Sequence, residues 1–324
     1  MPTPLLIFRS HYRSLAGLLL ACNIAMAQNW ITSGPPGAPV VPFDALITGW
    51  GNPPFPGAPK TPLYTCRGGK AEGYGLQVGK FTPGSTGCDF GYGGSEVTVP
   101  DMQFLTMSWQ AESGGFVPAN AVQGGWDTPP PGSSGKPPLY YCRAEIKSGT
   151  TASLQPGKIR PGFTGCVIPY SGREYSIGTY QVLVALNPAF PLADISASNG
   201  FVPQDAIRGG TDTDGTPLYI CSAFFNGSTQ LGKLHSSFGG CNIGYGGVEY
   251  TEPNYFVLVP SWLGSSKFDF PAGTDSDGST LYVCRAMVNG GLEYPGKTRM
   301  GWPGCNYGLN GKEQSDTLYE LLSE

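Results

Sequence analysis

The run GFVPANAVQGGWD at residues 115–127 decides the fold, together with PPLYYCRAEI at 137–146, LQPGKIRPG at 154–162 and FTGCVIPYSGREYSIGTYQVLVA at 163–185. Pro138 to Ala144 and Tyr180 to Val184 are rich in aromatic and β-branched residues and bounded by turn formers, as strands are. The same marks return three more times in the same order. Copy one carries Pro62-Leu63-Tyr64-Thr65-Cys66-Arg67, Gly79-Lys80, Gly87-Cys88 and Tyr92 to Glu96. Copy three carries Leu218-Tyr219-Ile220-Cys221, Gly232-Lys233, Gly240-Cys241 and Tyr245 to Glu249. Copy four carries Leu281-Tyr282-Val283-Cys284-Arg285, Pro295-Gly296-Lys297, Gly304-Cys305 and Gly311-Lys312-Glu313. Several marks in one fixed order signal internal repetition. No stretch sustains a helical period, so the fold class read from the chain is all-β.

Composition agrees with that reading. Among 324 residues there are 49 Gly and 31 Pro, and charged residues supply only 13%, which favours short strands and tight turns over long helices. The 16 Phe, 17 Tyr and 6 Trp argue for packed cores and against disorder. Arg9 and Arg13 precede the apolar run Leu15 to Ala21, and Ala25-Met26-Ala27 offers a cleavage site, so residues 1–27 read as a signal peptide. The expected location is therefore secreted, extracellular or periplasmic. A lipoprotein box, Leu19-Leu20-Ala21-Cys22, is the less fitting alternative because of Leu at its second position. The run is too short to span a bilayer and no later stretch is apolar enough to do so. Cleavage would take the net charge from −4 to −6, and a mildly acidic surface is a poor partner for nucleic acid.

Cleavage would also remove Cys22 and leave eight cysteines, two per copy. An even number in an exported chain reads as disulfides. Pairing within a copy gives Cys66–Cys88, Cys142–Cys166, Cys221–Cys241 and Cys284–Cys305, with separations of 22, 24, 20 and 21 residues. By loop-closure entropy each bond contributes about 3 kcal/mol. Metal ligation is the rival reading, but no C-x-x-C occurs and His235 is the one histidine after residue 27.

The junctions between copies predict how they group. From the last Leu of one copy to the residue before the next entry proline, the gaps are 12, 19 and 12 residues. The longer middle junction contains Asn187-Pro188-Ala189-Phe190-Pro191 and reads as a linker. This predicts two modules of two consecutive copies, 28–189 and 190–324.

The order GG-x-D, PLY-x-CRA, PGK, GC-x-I-PY-x-G-x-E and Y-x-VLV resembles the DM-nine repeat family, which includes mannose-specific lectins of bivalves and the repeat region of some natterin-like proteins. The match spans roughly residues 30–324. It implies β-sandwich-like modules, each built from two interlocked repeats of about 70 residues. It also implies that sugar hydroxyls are held by the Asp of GG-x-D and the Lys of PGK. Carried over, these are Asp127 with Lys158, Asp212 with Lys233, and Asp275 with Lys297; copy one keeps Lys80, but Gly49-Trp50-Gly51-Asn52 offers no Asp. The chemistry suits a diol, since a carboxylate accepts from vicinal hydroxyls and an ammonium donates to their oxygens. Trp126 either offers an apolar face to a sugar ring or packs beneath its loop.

Each of these residues also has a plainer reading. Asp212 and Asp275 lie in the turn sequences Asp-Thr-Asp-Gly and Asp-Ser-Asp-Gly, and lysines after glycine are most simply exposed charges at strand edges. An EF-hand is excluded, because the twelfth positions counted from those aspartates are Ala223 and Ala286. Arg67, Arg143 and Arg285 are expected to pair with Glu96, Glu174 and Glu313 inside their own copies. A single histidine after residue 27 disfavours a triad or a clustered histidine metal site, the cysteines read as disulfides leave no obvious thiolate nucleophile, and Asp212 with Asp214 on one turn is thin support for glycoside hydrolysis. The expectation is a non-enzymatic secreted lectin for mannose-type glycans, with no cofactor or metal. The alternatives are a structural or protein-interaction module and a toxin-associated accessory domain.

Overall fold

A computed structural model describes residues 30–32, 34, 38–185, 190–264, 268 and 270–323. The expected signal peptide with Cys22, and residues 186–189 of the middle junction, lie outside these. Every element is a strand, twenty-eight in all among the described residues, arranged in two fourteen-stranded antiparallel arrays. The fold is all-β, as the sequence indicates.

Each copy repeats one plan. In copy two the GG-x-D strand (Gln123–Trp126) leads to the PLYYC strand (Pro138–Ser148), and the chain then turns into the PGK strand (Thr151–Ile159). The GC strand (Cys166–Tyr170) forms a hairpin with the strand that carries the glutamate (Arg173–Ile177), and the closing strand (Thr179–Leu183) returns to the PLYYC strand. A disulfide ties the PLYYC strand to the GC strand in every copy: Cys66–Cys88, Cys142–Cys166, Cys221–Cys241 and Cys284–Cys305.

The copies pair in an order that junction lengths did not predict. Copy two shares an array with copy three, and copy one shares the other array with copy four. The links are reciprocal. Leu154 of the copy-two PGK strand pairs with Thr211, and Thr229 of the copy-three PGK strand pairs with Trp126. In the other array Trp50 pairs with Glu293, and Thr274 with Leu76. The boundary at 189/190 therefore falls inside a module. Its 19-residue gap joins partners, whereas the two 12-residue gaps cross from one module to the other. Short crossings suffice because the modules share a core: Leu46, Leu105, Tyr141, Leu183, Ile207, Leu258, Leu281 and Leu322, from all four copies, form one buried cluster. Of the expected linker, Phe190 belongs to that cluster: it is buried and its ring stands edge-on to Phe270 with centroids 5.4 Å apart.

Glycine makes the interlock sterically feasible. A Cβ on Gly210 would sit 1.9 Å from the Leu154 carbonyl oxygen, and one on Gly125 would sit 2.3 Å from that of Thr229. The second glycine of GG-x-D is the point where the partner's PGK strand crosses in contact with the backbone. Around the shared core each copy keeps a smaller one built on its disulfide.

Candidate functional site

The interlock leaves the PGK strand covered on both faces over its last five residues, as in Gln155–Ile159. The lysine that ends each run is accordingly buried: Lys80, Lys158, Lys233 and Lys297 are 5%, 3%, 3% and 1% exposed. They are not strand-edge charges. A buried ammonium needs acceptors and a counter-charge, and the structure supplies both.

The glutamate of the same copy provides the counter-charge. Lys80 Nζ lies 2.7 Å from Glu96 Oε1, Lys158 Nζ 3.3 Å from Glu174 Oε1, and Lys233 Nζ 3.5 Å from Glu249 Oε1. The second oxygen of each carboxylate accepts a backbone N–H from the partner copy's turn: Gly311 on Glu96, Gly247 on Glu174, Gly172 on Glu249 and Gly94 on Glu313, at 2.6–2.9 Å. These glutamates are not the arginine partners expected from sequence. Arg143 instead forms a two-pronged pair with Asp44 and bonds Gln181, while Arg285 engages Asp205, Glu293 and Glu320. Trp109 and Trp262 stack on those two guanidinium groups, and Trp30 stacks on Arg67. In copy three Ser222 replaces the arginine, and Asp194 stands opposite Leu258, where Trp109 stands opposite Leu183 in copy two.

Aspartate and lysine meet through a glutamine lent by the partner copy. Gln230 accepts from Lys158 Nζ and donates to Asp127 Oδ1 at 3.2 Å. Gln155 accepts from Lys233 Nζ at 2.7 Å and donates to Asp212 Oδ1 at 3.4 Å. Gln77 accepts from Lys297 Nζ and donates to Asp275 Oδ1 at 3.0 Å. The partner also adds a tyrosine ring, with Lys158 Nζ 5.6 Å from Tyr245, Lys233 Nζ 5.3 Å from Tyr170, and Lys297 Nζ 5.3 Å from Tyr92. Each of the three pairs thus meets at a shared glutamine, and copy two does so despite the additional Pro129-Pro130-Pro131-Gly132-Ser133-Ser134-Gly135 between Asp127 and Lys158. Copy one departs at each position. Gly51 holds the place of the aspartate, Tyr294 the place of the glutamine three residues before the lysine, and Leu309 the place of the tyrosine.

The three sites differ at the residue two beyond the lysine. Arg160 Nε donates to Asp127 Oδ2 at 2.9 Å, and Arg299 reaches Asp275 Oδ2 at 3.4 Å and Asp277 Oδ2 at 2.6 Å. Copy three has His235 there, whose ring bonds Ser237. Asp212 Oδ1 accepts from Gln155 and from the Thr213 backbone, and Oδ2 has no partner among the described residues. Lys158 is the most fully engaged lysine, donating to Gln230 and to the Gly244 carbonyl beside Glu174. Trp126, beside Asp127, is exposed.

Burial lowers the pKa of Lys158 and Lys233 against the pull of Glu174 and Glu249, and takes Lys297 down to about 8 despite Asp275 and Glu313. All three shifts have the same sign in linkage. Between pH 8 and about 9.5 the unfolded chain still binds these protons while the folded chain loses that of Lys297, so stability rises with pH. Urea unfolding at the two pH values should show a higher midpoint at the upper one, and Lys297→Met should flatten the difference. A midpoint that falls in the wild type contradicts this assignment.

Among the described residues no three His, Cys, Asp or Glu side chains gather as a metal site, and no helix is long and apolar enough to cross a membrane.

The DM9 repeat model matches residues 58–152 and 132–252, together more than half of the chain. The chain belongs to the DM9 repeat family. The family model marks two DM9 repeats, and the four copies described above rest on the strand plan and its disulfides. Among solved structures, this DM9 protein is similar to the nematode sperm cell motility protein MFP2B at 13% identity. That alignment covers 90% of this chain and 95% of the other, with a TM-score of 0.18. No curated protein matches the chain.

Proposed function

We propose that this DM9 protein is an exported, non-enzymatic carbohydrate-binding protein that takes mannose-type diols where paired copies meet. The copy-three site is its principal one. The observation that carries this reading is the unshared Asp212 Oδ2, next to a lysine anchored by Gln155 and Glu249. An acceptor fixed by a glutamine and flanked by an ammonium is prepared for two adjacent hydroxyls. In copies two and four, Arg160 and Arg299 occupy that oxygen and must be displaced or must themselves donate to the sugar. Four disulfides and the apolar amino-terminal segment support export.

The near-complete burial of the lysines favours a second reading, in which the network only locks paired copies together. Binding to immobilised mannan and a glycan array distinguishes the two. Asp212→Ala should lower binding about tenfold or more, because one lost charged hydrogen bond contributes about 1.5–3 kcal/mol, while the melting temperature stays near wild type. Asp127→Ala should have the smaller effect. Wild-type protein that binds no glycan overturns the lectin reading, and an Asp212→Ala variant that binds equally well moves the site elsewhere.

A further inference from the structure

Between copies one and three, away from the lysine network, lies a cavity of about 290 Å³. Val41, Phe43 and Ile47 wall one side, and Ala206 and Pro217 the other. Tyr64 and Tyr219, the same tyrosine of the PLY strand in the two copies, face it from opposite sides. Arg208 is the single cation of the lining, with its guanidinium carbon 4.2 Å from the centre of the Phe43 ring.

Arg208 is left largely without acceptors. Among the described residues it makes one hydrogen bond, from Nη2 to Thr211 Oγ1 at 3.5 Å, and its buried Nε has none. The two nearby carboxylates serve other arginines: Asp44 is paired with Arg143 and Asp205 with Arg285. Desolvation lowers the pKa of Arg208 against the pull of Tyr219, Tyr64 and Asp44. A half-buried guanidinium with one long hydrogen bond gains from an incoming counter-ion.

We propose that this cavity binds a small organic carboxylate with an aromatic or branched apolar body. A guanidinium stacked on a ring keeps its edge free, and that edge matches a carboxylate with two parallel hydrogen bonds. The tyrosine hydroxyls can donate to the remaining lone pairs, and the apolar walls take the body of the acid. The volume suits a small ligand. A phosphate dianion would bring a second charge that nothing in the lining answers. Asp205 shares Arg285 with Glu293 and Glu320, so its charge is offset only in part. Its Oδ1 is buried without a partner among the described residues, which favours acids that also carry a hydroxyl.

Ligand-observed NMR with phenylacetate, 3-phenyllactate and 3-methylbutyrate tests the proposal, with phenylacetamide and phenyl phosphate as comparisons. The carboxylates should bind at least about tenfold more tightly than the amide, the loss expected for removing a charged partner. Arg208→Gln should abolish that preference while the melting temperature stays close to wild type. Ala206→Leu narrows the cavity without touching the guanidinium and should weaken the carboxylates as well. The proposal fails if the amide binds as well as the acid, if both variants bind the acids normally, or if no carboxylate binds at about 20 mM. No sugar enters the assay, so its outcome is independent of the lectin reading.

Discussion

Glu174→Ala is expected to lower the unfolding free energy by about 3–5 kcal/mol, the cost of removing one partner of a buried ion pair. Two losses combine at this residue. Lys158, 3% exposed, keeps its charge but loses the carboxylate 3.3 Å away. The Gly247 N–H of copy three loses an acceptor at 2.8 Å. Substituting the lysine itself should cost less, because Glu174, with its side chain 17% exposed and still accepting from the Gly247 N–H, tolerates the loss of its partner better than the lysine side chain, 4% exposed, does. Guanidinium denaturation of the two variants therefore orders them, Glu174→Ala below Lys158→Met. Equal midpoints, or a glutamate variant within about 1 kcal/mol of wild type, would mean that surface-like solvation reaches the pair.

Removing the Cys221–Cys241 bond by a double substitution to alanine should cost about 3 kcal/mol through the entropy of the released 20-residue loop. Because both sulfurs are fully buried in the core that copy three keeps to itself, the loss should include lost packing and not loop entropy alone. The Cys66–Cys88 bond lies in copy one, whose lysine site is incomplete, so its removal should lower stability without changing glycan binding. Thermal unfolding alongside mannan binding separates the two effects. A copy-one variant that loses binding before it loses structure would place a ligand contact where none is proposed.

Much of this was legible in the chain. The PLY-x-C and GC marks gave the strands and the disulfide pairing, because a cysteine at a fixed offset in a repeated strand has one near neighbour at suitable distance. The GG-x-D aspartates and PGK lysines were expected to hold one sugar together, and the structure brings each of the three pairs to a shared glutamine. Their mediator was also written in the sequence, since Gln77, Gln155 and Gln230 each stand three residues before the lysine while Tyr294 breaks the series. What could not be read was who lends the glutamine to whom. Partner choice depends on pairing between distant strands, and a gap length reports only how far the chain must travel. Here the shared core shortens that path between modules. The burial of the lysines was hidden for the same reason, since a residue that looks like an edge charge within one copy becomes interior once a second copy crosses it. The arginine assignment failed because Asp44 and Asp205 come from other copies and precede their own repeat marks.

The outer-with-outer, inner-with-inner pairing is a nested closure, like one bracket inside another. Copy one emerges first and has no partner until copy four follows, roughly two hundred residues later, whereas copies two and three meet as neighbours. The inner bracket can therefore close while the outer one is still open, and the long-range closure sets the pace of folding. Until then copy one waits with Gly49, its future crossing point for the copy-four strand, uncovered. Its own disulfide, Cys66–Cys88, can form from local contacts alone and hold that half-finished unit together in the interval.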